Sequence, residues 1–158
     1  KMEFGQRALG NRSIIATPTG DKIKDLINRA VKFREGFRPF APAILEEYAK
    51  EYFEFPDDEH VFFMEKVYQF KDKYQKKFPA IVHYDGTGRL QSVNKKINPR
   101  FYRLIESFNE LTGVPIVVNT SFNLNGEPIV ESPIDAIKTF YVCGLDYLVI
   151  GNYLISKS

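Results

Sequence analysis

The chain has 158 residues, 44% of them hydrophobic, with 14 Phe and 9 Tyr, enough for one packed domain without covalent staples. A single cysteine excludes a disulfide framework, two histidines beside it leave no basis for a structural zinc site, and no apolar run approaches the roughly 20 residues that span a bilayer. The net charge of +2 hides an uneven distribution: residues 1–40 hold nine basic against four acidic residues, and residues 41–65 eight acidic residues against Lys50 alone, which fits a basic pocket beside a solvated acidic flank rather than an evenly basic nucleic-acid surface.

The opening segment, residues 1–13, has no leader character and enters a dense Gly/Arg motif at once, as expected of a stretch taken from a longer protein. Ser13 to Ala16 is a short strand closed by Thr17-Pro18-Thr19-Gly20. Between Asp21 and Val31, Ile23, Leu26, Ile27 and Ala30 mark one face of a helix that delivers Lys32 and Arg34 at its end. Arg38 to Pro42 is extended, because each proline pushes its predecessor out of the helical region. Ala43 to Leu45 is strand or turn, and Glu46 to Phe53 a short helix. Val61 to Val67 and Ala80 to His83 are strand candidates, and the Lys-rich stretch from Gln69 to Lys77 between them reads as a mobile surface loop.

Asp85 to Arg89 is a tight turn with an arginine at its exit. Asn98-Pro99 opens a capped helix with its face on Phe101, Leu104, Ile105, Phe108 and Leu111, ended by Gly113. Val114 to Val118 is a buried strand, and Ser132-Pro133 opens a second capped helix that runs to Gly144 and buries Cys143 as an inert thiol. Leu145 to Ile150 and Tyr153 to Ile155 form a hairpin around Gly151-Asn152. Strands interleaved with helices predict an α/β (α+β) domain with a twisted, mixed, open sheet flanked by helices.

Two short segments carry the chemistry. Asn119-Thr120-Ser121-Phe122-Asn123 follows the Val114–Val118 strand and places neutral hydrogen-bonding groups at its C-terminal mouth, where ligands of open α/β sheets sit. Lys32-Phe33-Arg34, with Arg38 behind it, offers cations; read as an extended segment, it turns Phe33 to the core and both cations to one side. The Lys-x-Arg and Ser-x-Asn elements together resemble those of the YrdC-like nucleotide-binding family, whose members bind ATP and make acyl adenylates.

A wider set of ordered motifs resembles one group more specifically. It comprises Met2 to Ser13, Lys32-Phe33-Arg34-Glu35 with Arg38 to Pro42, and Asn119 to Asn123 with Gly126-Glu127-Pro128. Over nearly the whole chain these resemble the C-terminal, YrdC-like domain of O-carbamoyltransferases of the nodulation-factor and antibiotic-tailoring type. Gln6 departs from that pattern, which has proline there, and Asn125 stands where arginine is common. The resemblance implies a single domain over residues 1–158 that forms carbamoyl adenylate from carbamoyl phosphate and ATP with Mg²⁺. It also implies a preceding actin-like domain, absent from this chain, that holds iron or another metal and passes the carbamoyl group to an acceptor hydroxyl.

Carbamoyl phosphate is a compact dianion and calls for several positive donors. Arg7, Lys32 and Arg89 are the candidates, with His83 as a further contact or general base. Lys32, Arg34, Ser121 and Asn123 are expected to bind the nucleotide, and Lys32, Arg89, Ser121 and Asn123 to carry catalysis by positioning and charge stabilisation. No metal ligand is expected within the chain. Arg12 and Arg38 either bind phosphate or pair with Glu3 or Glu35, and His60 is expected to be solvated. The expected location is cytoplasmic, with no membrane contact. An RNA-binding module and a non-catalytic docking domain are the competing readings.

Overall fold

The computed structural model describes residues 2–3, 7–33 and 35–157, apart from the side chain of Ala30. Among these residues there are seven strands and five α-helices. The strands are β1 (Ser13–Ala16), β2 (Ala41–Leu45), β3 (Lys66–Gln69), β4 (Thr87–Val93), β5 (Ile116–Ser121), β6 (Tyr147–Ile150) and β7 (Tyr153–Ser156). The helices are α1 (Ile23–Ile27), α2 (Ala49–Tyr52), α3 (Asp72–Gln75), α4 (Pro99–Thr112) and α5 (Pro133–Val142). Strands β1 to β5 form one mixed, open sheet in the order β1-β5-β2-β4-β3, in which β2 and β4 run parallel and the other neighbours antiparallel. Strands β6 and β7 pair as a separate hairpin.

Every residue of β2 is buried, because this strand is central and both its faces are covered. On one face Ala43, Leu45, Val93 and Val117 pack against Phe101, Tyr102 and Ile105 of α4. On the other, Ile14, Ile44, Leu90, Ile116 and Val118 join a larger core with Ile27, Val31, Phe70 and Phe140.

Both longer helices begin where local chemistry places their starts. Asn98 accepts from the Phe101 N–H, with Pro99 at the first helical position, and its amide also donates to the Leu9 carbonyl, tying the amino-terminal segment to the helix start. Ser132 and Asp135 form a reciprocal capping box on α5. Cys143 is buried at the end of that helix.

Several expectations give way to packing. Leu104 and Leu111 are exposed, so the buried face of α4 is Phe101, Tyr102 and Ile105, with Phe108 packed partly against it. Of Val61 to Val67 only Lys66 and Val67 lie in a strand, β3, which runs on to Gln69. Ala80 to His83 is turn rather than strand: Ile81 and Val82 donate back to the Phe78 carbonyl, and the buried Phe78, Ala80 and Ile81 fill the core from that turn. The Lys-rich stretch is no simple loop, since α3 forms there and stacks Tyr74 on Tyr52 with centroids 4.2 Å apart. Strand β4 has no counterpart in the sequence reading, and Arg89 sits inside it rather than at the exit of a turn.

Candidate functional site

Ala41, Arg89 and Asn119 lie level on neighbouring strands, since Ala41 pairs with Asn119 on β5 and Ala43, two residues on, pairs with Gln91 on β4. The methyl group of Ala41 between two long polar side chains leaves a hollow above the sheet. That hollow is a cleft of about 220 Å³ walled by Arg7, Lys32, Arg38, Arg89, Ser121 and Asn123, and an adjoining cavity of about 380 Å³ shares Arg7, Arg38 and Arg89 with it and adds His83. It lies at the C-terminal mouth of β5, where the sequence places the polar site.

Lys32 reaches the cleft by a route the sequence does not suggest. Helix α1 continues as a π-helical turn through Asn28–Lys32, and the next residue, Phe33, closes it in the left-handed region at φ 45°. Lys32 is therefore turned inward and buried, while Phe33 is thrown out to solvent at 57% exposure. The expected extended segment with Phe33 in the core is thus reversed. Arg34 lies outside the described residues.

The Lys32 ammonium donates to the Ser121 carbonyl at 2.6 Å, the Asn123 side-chain oxygen at 2.7 Å, the Asn123 carbonyl at 3.1 Å and the Ser121 hydroxyl at 3.3 Å. Ser121 Oγ in turn donates to Asn123 Oδ1 at 2.7 Å, and Asn123 Nδ2 donates to the Glu127 carbonyl at 2.7 Å. Lys32 thus meets the Ser-x-Asn element: this one cation folds the 121–123 turn around itself, with Phe122 buried as expected.

The walls are held by polar groups on the chain segments around them. Glu3 accepts from the backbone N–H groups of Leu9, Asn11 and Arg12 and from the Asn11 side chain, which sets the course of the segment bearing Arg7. Gly10 within it sits at φ 109°, and a Cβ there would lie 2.5 Å from Phe101. Asn28 donates to the carbonyls of Gly36 and Arg38. Asn119 donates to the Ala8 carbonyl and to Gln91 Oε1, while its own oxygen is buried with no partner among the described residues.

Arg38 lines the cleft and pairs with Glu35 at 3.3 Å, whereas Arg12 is spent on the carbonyls of Val130 and Glu131 and walls no part of the cleft. His60 is exposed and contacts Glu46. His83 lies in the turn before β4, and its Nδ1 is 3.1 Å from Thr87 Oγ1, which donates to Asp85 at 2.7 Å. Burial holds the His83 pKa below the usual histidine value, with Arg89 and Lys24 adding to the effect and Asp85 opposing it. The Thr87 hydrogen bonds hold the Asp85 carboxyl below its usual range.

Sequence reasoning singled out no role for Gln91, Thr87 or the floor residue Ala41, and took Asn119 only as one of the polar groups at the strand mouth. Their contribution depends on strand register, and the one local signal was the polar run that begins at Asn119. Among the described residues no three His, Cys, Asp or Glu side chains gather as a metal site, and no helix is long and apolar enough to cross a membrane.

Residues 1–157 match the family described as Carbamoyltransferase C-terminus. Nodulation protein NolNO of Sinorhizobium fredii is 52% identical over 99% of this chain and 23% of its own length. Nodulation protein NolO of Bradyrhizobium diazoefficiens is 50% identical over 99% of this chain and 29% of its own length. Nodulation protein U of Rhizobium tropici is 41% identical over 80% of this chain and 21% of its own length. The chain therefore spans less than a third of each of these relatives. A match that covers nearly every residue, with relatives half identical across the same span, places this chain in the carbamoyltransferase family as a C-terminal region.

Proposed function

We propose that this domain binds carbamoyl phosphate and ATP and joins them into carbamoyl adenylate for transfer by another part of a longer carbamoyltransferase. The observation that carries the reading is the convergence of Arg7, Arg38, Arg89 and the Lys32 turn on one small cleft floored by Ala41. A volume of about 220 Å³ is below the ~300–1,000 Å³ usual for larger ligands and suits a compact dianion. A nucleotide would extend from it along the Lys32–Asn123 turn.

Guanidinium groups suit phosphate oxygens through their forked donors. Water removes the phosphate of carbamoyl phosphate, the carbamate oxygen then bonds to the α-phosphorus of ATP, and the bond to the leaving pyrophosphate breaks. Cations fixed before the reaction stabilise the charge that moves onto those oxygens. Lys32 holds the 121–123 turn in place and puts its charge beside the pyrophosphate, while Ser121 and Asn123 orient oxygens there. The described residues offer no carboxylate cluster, so Mg²⁺ would be carried by the nucleotide phosphates, as is usual for this ion, and would neutralise part of their charge.

Transfer to an acceptor hydroxyl is assigned to the remainder of a relative-length protein, the actin-like domain with its own metal. Calorimetric titration with carbamoyl phosphate and with ATP, each with and without Mg²⁺, tests the reading. Binding of both is expected, with ATP dependent on Mg²⁺; binding of neither would overturn it. Acceptor carbamoylation by these 158 residues alone would overturn the division of labour.

A further inference from the structure

We propose that His83 recognises the amide end of the ligand: its Nε2 accepts an N–H from the carbamoyl group and so separates carbamoyl phosphate from phosphorylated molecules of the same shape that lack that donor. The proposal rests on the carbamoyl-phosphate reading above and adds to it a specific atom, a tautomer and a basis for selection.

The tautomer follows from counting protons. Asp85 is held ionised by its hydrogen bonds from the Thr87 side chain and backbone, so it can only accept. Thr87 Oγ1 has one proton, and at 2.7 Å from Asp85 Oδ1 that proton is committed to the carboxylate. The contact of 3.1 Å between Thr87 Oγ1 and His83 Nδ1 then requires Nδ1 to carry the hydrogen. In a neutral ring this leaves Nε2 as a bare acceptor. Nε2 lies on the opposite edge of the imidazole and makes no hydrogen bond among the described residues, while His83 is partly exposed and lines the cavity that Arg7, Arg38 and Arg89 share.

The surroundings of the ring favour its neutral form. Burial acts first, Arg89 on β4 and Lys24 on α1 add to it, and Asp85 on the same turn opposes it; Arg7 and Arg38 line the same cavity.

The surroundings give that acceptor a purpose. Arginine side chains only donate, which suits the phosphate but offers nothing to an NH₂ group. Asn119 Oδ1 is a second acceptor, but its side chain is sealed within the sheet at 1% exposure, and among the described side chains lining the cavity that holds His83, that histidine alone carries an acceptor atom. A site that hydrogen-bonds a substrate N–H rejects an analogue without it far better than an apolar pocket senses a missing methylene. Thr87 and Asp85 are positioning residues in this scheme.

Two measurements test it. Long-range ¹H–¹⁵N correlation of the His83 ring at neutral pH is expected to find Nδ1 protonated and Nε2 bare, and the reverse tautomer would overturn the proposal. Calorimetry then compares carbamoyl phosphate, acetyl phosphate and inorganic phosphate. The protein should favour carbamoyl over acetyl phosphate by about tenfold, the net value of one good hydrogen bond. His83→Phe should bring that ratio to about one while inorganic phosphate binding stays within about twofold, and Thr87→Val should reduce the ratio part of the way. The ratio should also fall towards one as pH drops below the usual histidine range, because the protonated ring can no longer accept. Equal affinity for the two ligands in the unaltered protein, or a ratio that survives His83→Phe, would overturn the role of His83 and leave the phosphate site standing. Failure of the unaltered protein to bind any of the three would instead remove the carbamoyl-phosphate reading and this proposal with it.

Discussion

The two ends of the cleft use positive charge differently. At the β5 mouth, Lys32 is folded into four protein oxygens and orders the turn that carries Ser121 and Asn123. At the other end, Arg7 and Arg38 stand on the wall beside His83, and Arg38 meets Glu35 only at the exposed rim. A cation that closes a turn contributes to stability and ligand binding together, whereas a cation on the wall of a cavity contributes mainly to binding. Exposed ion pairs such as that of Arg38 contribute about 0–1 kcal/mol to folding. The Lys32 turn is different because the ammonium is buried and two of its acceptors are backbone carbonyls of the turn itself.

The sharpest way to break the comparison is within the turn itself. Asn123→Ala removes an acceptor of both Lys32 and Ser121, and in a full-length enzyme it should slow pyrophosphate release by about 100–1,000-fold, the usual cost of disrupting a group aimed at developing charge. Asn125→Ala, on an exposed neighbour at the cleft edge, should stay close to normal. Equal effects would mean that the turn is not organised for catalysis.

Lys32→Met should come next, with a loss of about 2–3 kcal/mol in urea unfolding together with weakened ATP binding. Loss of binding with unchanged stability would place Lys32 with the wall cations instead. Arg7→Ala should show the opposite split: carbamoyl phosphate binding weaker by about 1.5–3 kcal/mol and unfolding within about 0.5 kcal/mol of the unaltered chain.

The smallest effect is expected far from the cleft. Ser132→Ala removes the α5 cap and should cost about 1 kcal/mol without altering ligand affinity. The Ser132 bonds hold the Asp135 carboxyl below its usual pKa, so this contribution is present above the ordinary carboxylate range and fades as pH falls through the depressed value. The difference between Ser132→Ala and the unaltered chain should therefore shrink in acid; a constant difference would place the cap energy elsewhere.

The local signals in the sequence proved sound where the physics is local. Asn98-Pro99 and Ser132-Pro133 cap α4 and α5 because a side-chain oxygen satisfies an N–H two or three residues away, whatever surrounds it. The β6–β7 hairpin forms around Gly151 at φ 60°, as its two-residue loop requires. The polar run that ends β5 and continues to Asn123 lines the cleft through Asn119, Thr120, Ser121 and Asn123.

Strand β4 escaped the same reasoning. Thr87-Gly88-Arg89-Leu90-Gln91-Ser92-Val93 is too polar to look buried, yet Gln91 is satisfied by Asn119 on β5 and Ser92 Oγ accepts from the Val61 N–H. Those partners are 28 and 31 positions away in the chain.

The sequence alone determined the starts of α4 and α5, the final hairpin, the mixed α/β class and the two short motifs, since each rests on neighbours within a few residues. Only the tertiary structure decided that Lys32 turns inward while Phe33 faces water, that Arg12 is spent on backbone carbonyls, and that Ala41 floors a cleft between Arg89 and Asn119. The reason is that burial and hydrogen-bond pairing depend on which distant strand lies alongside, and strand register is a property of the assembled sheet.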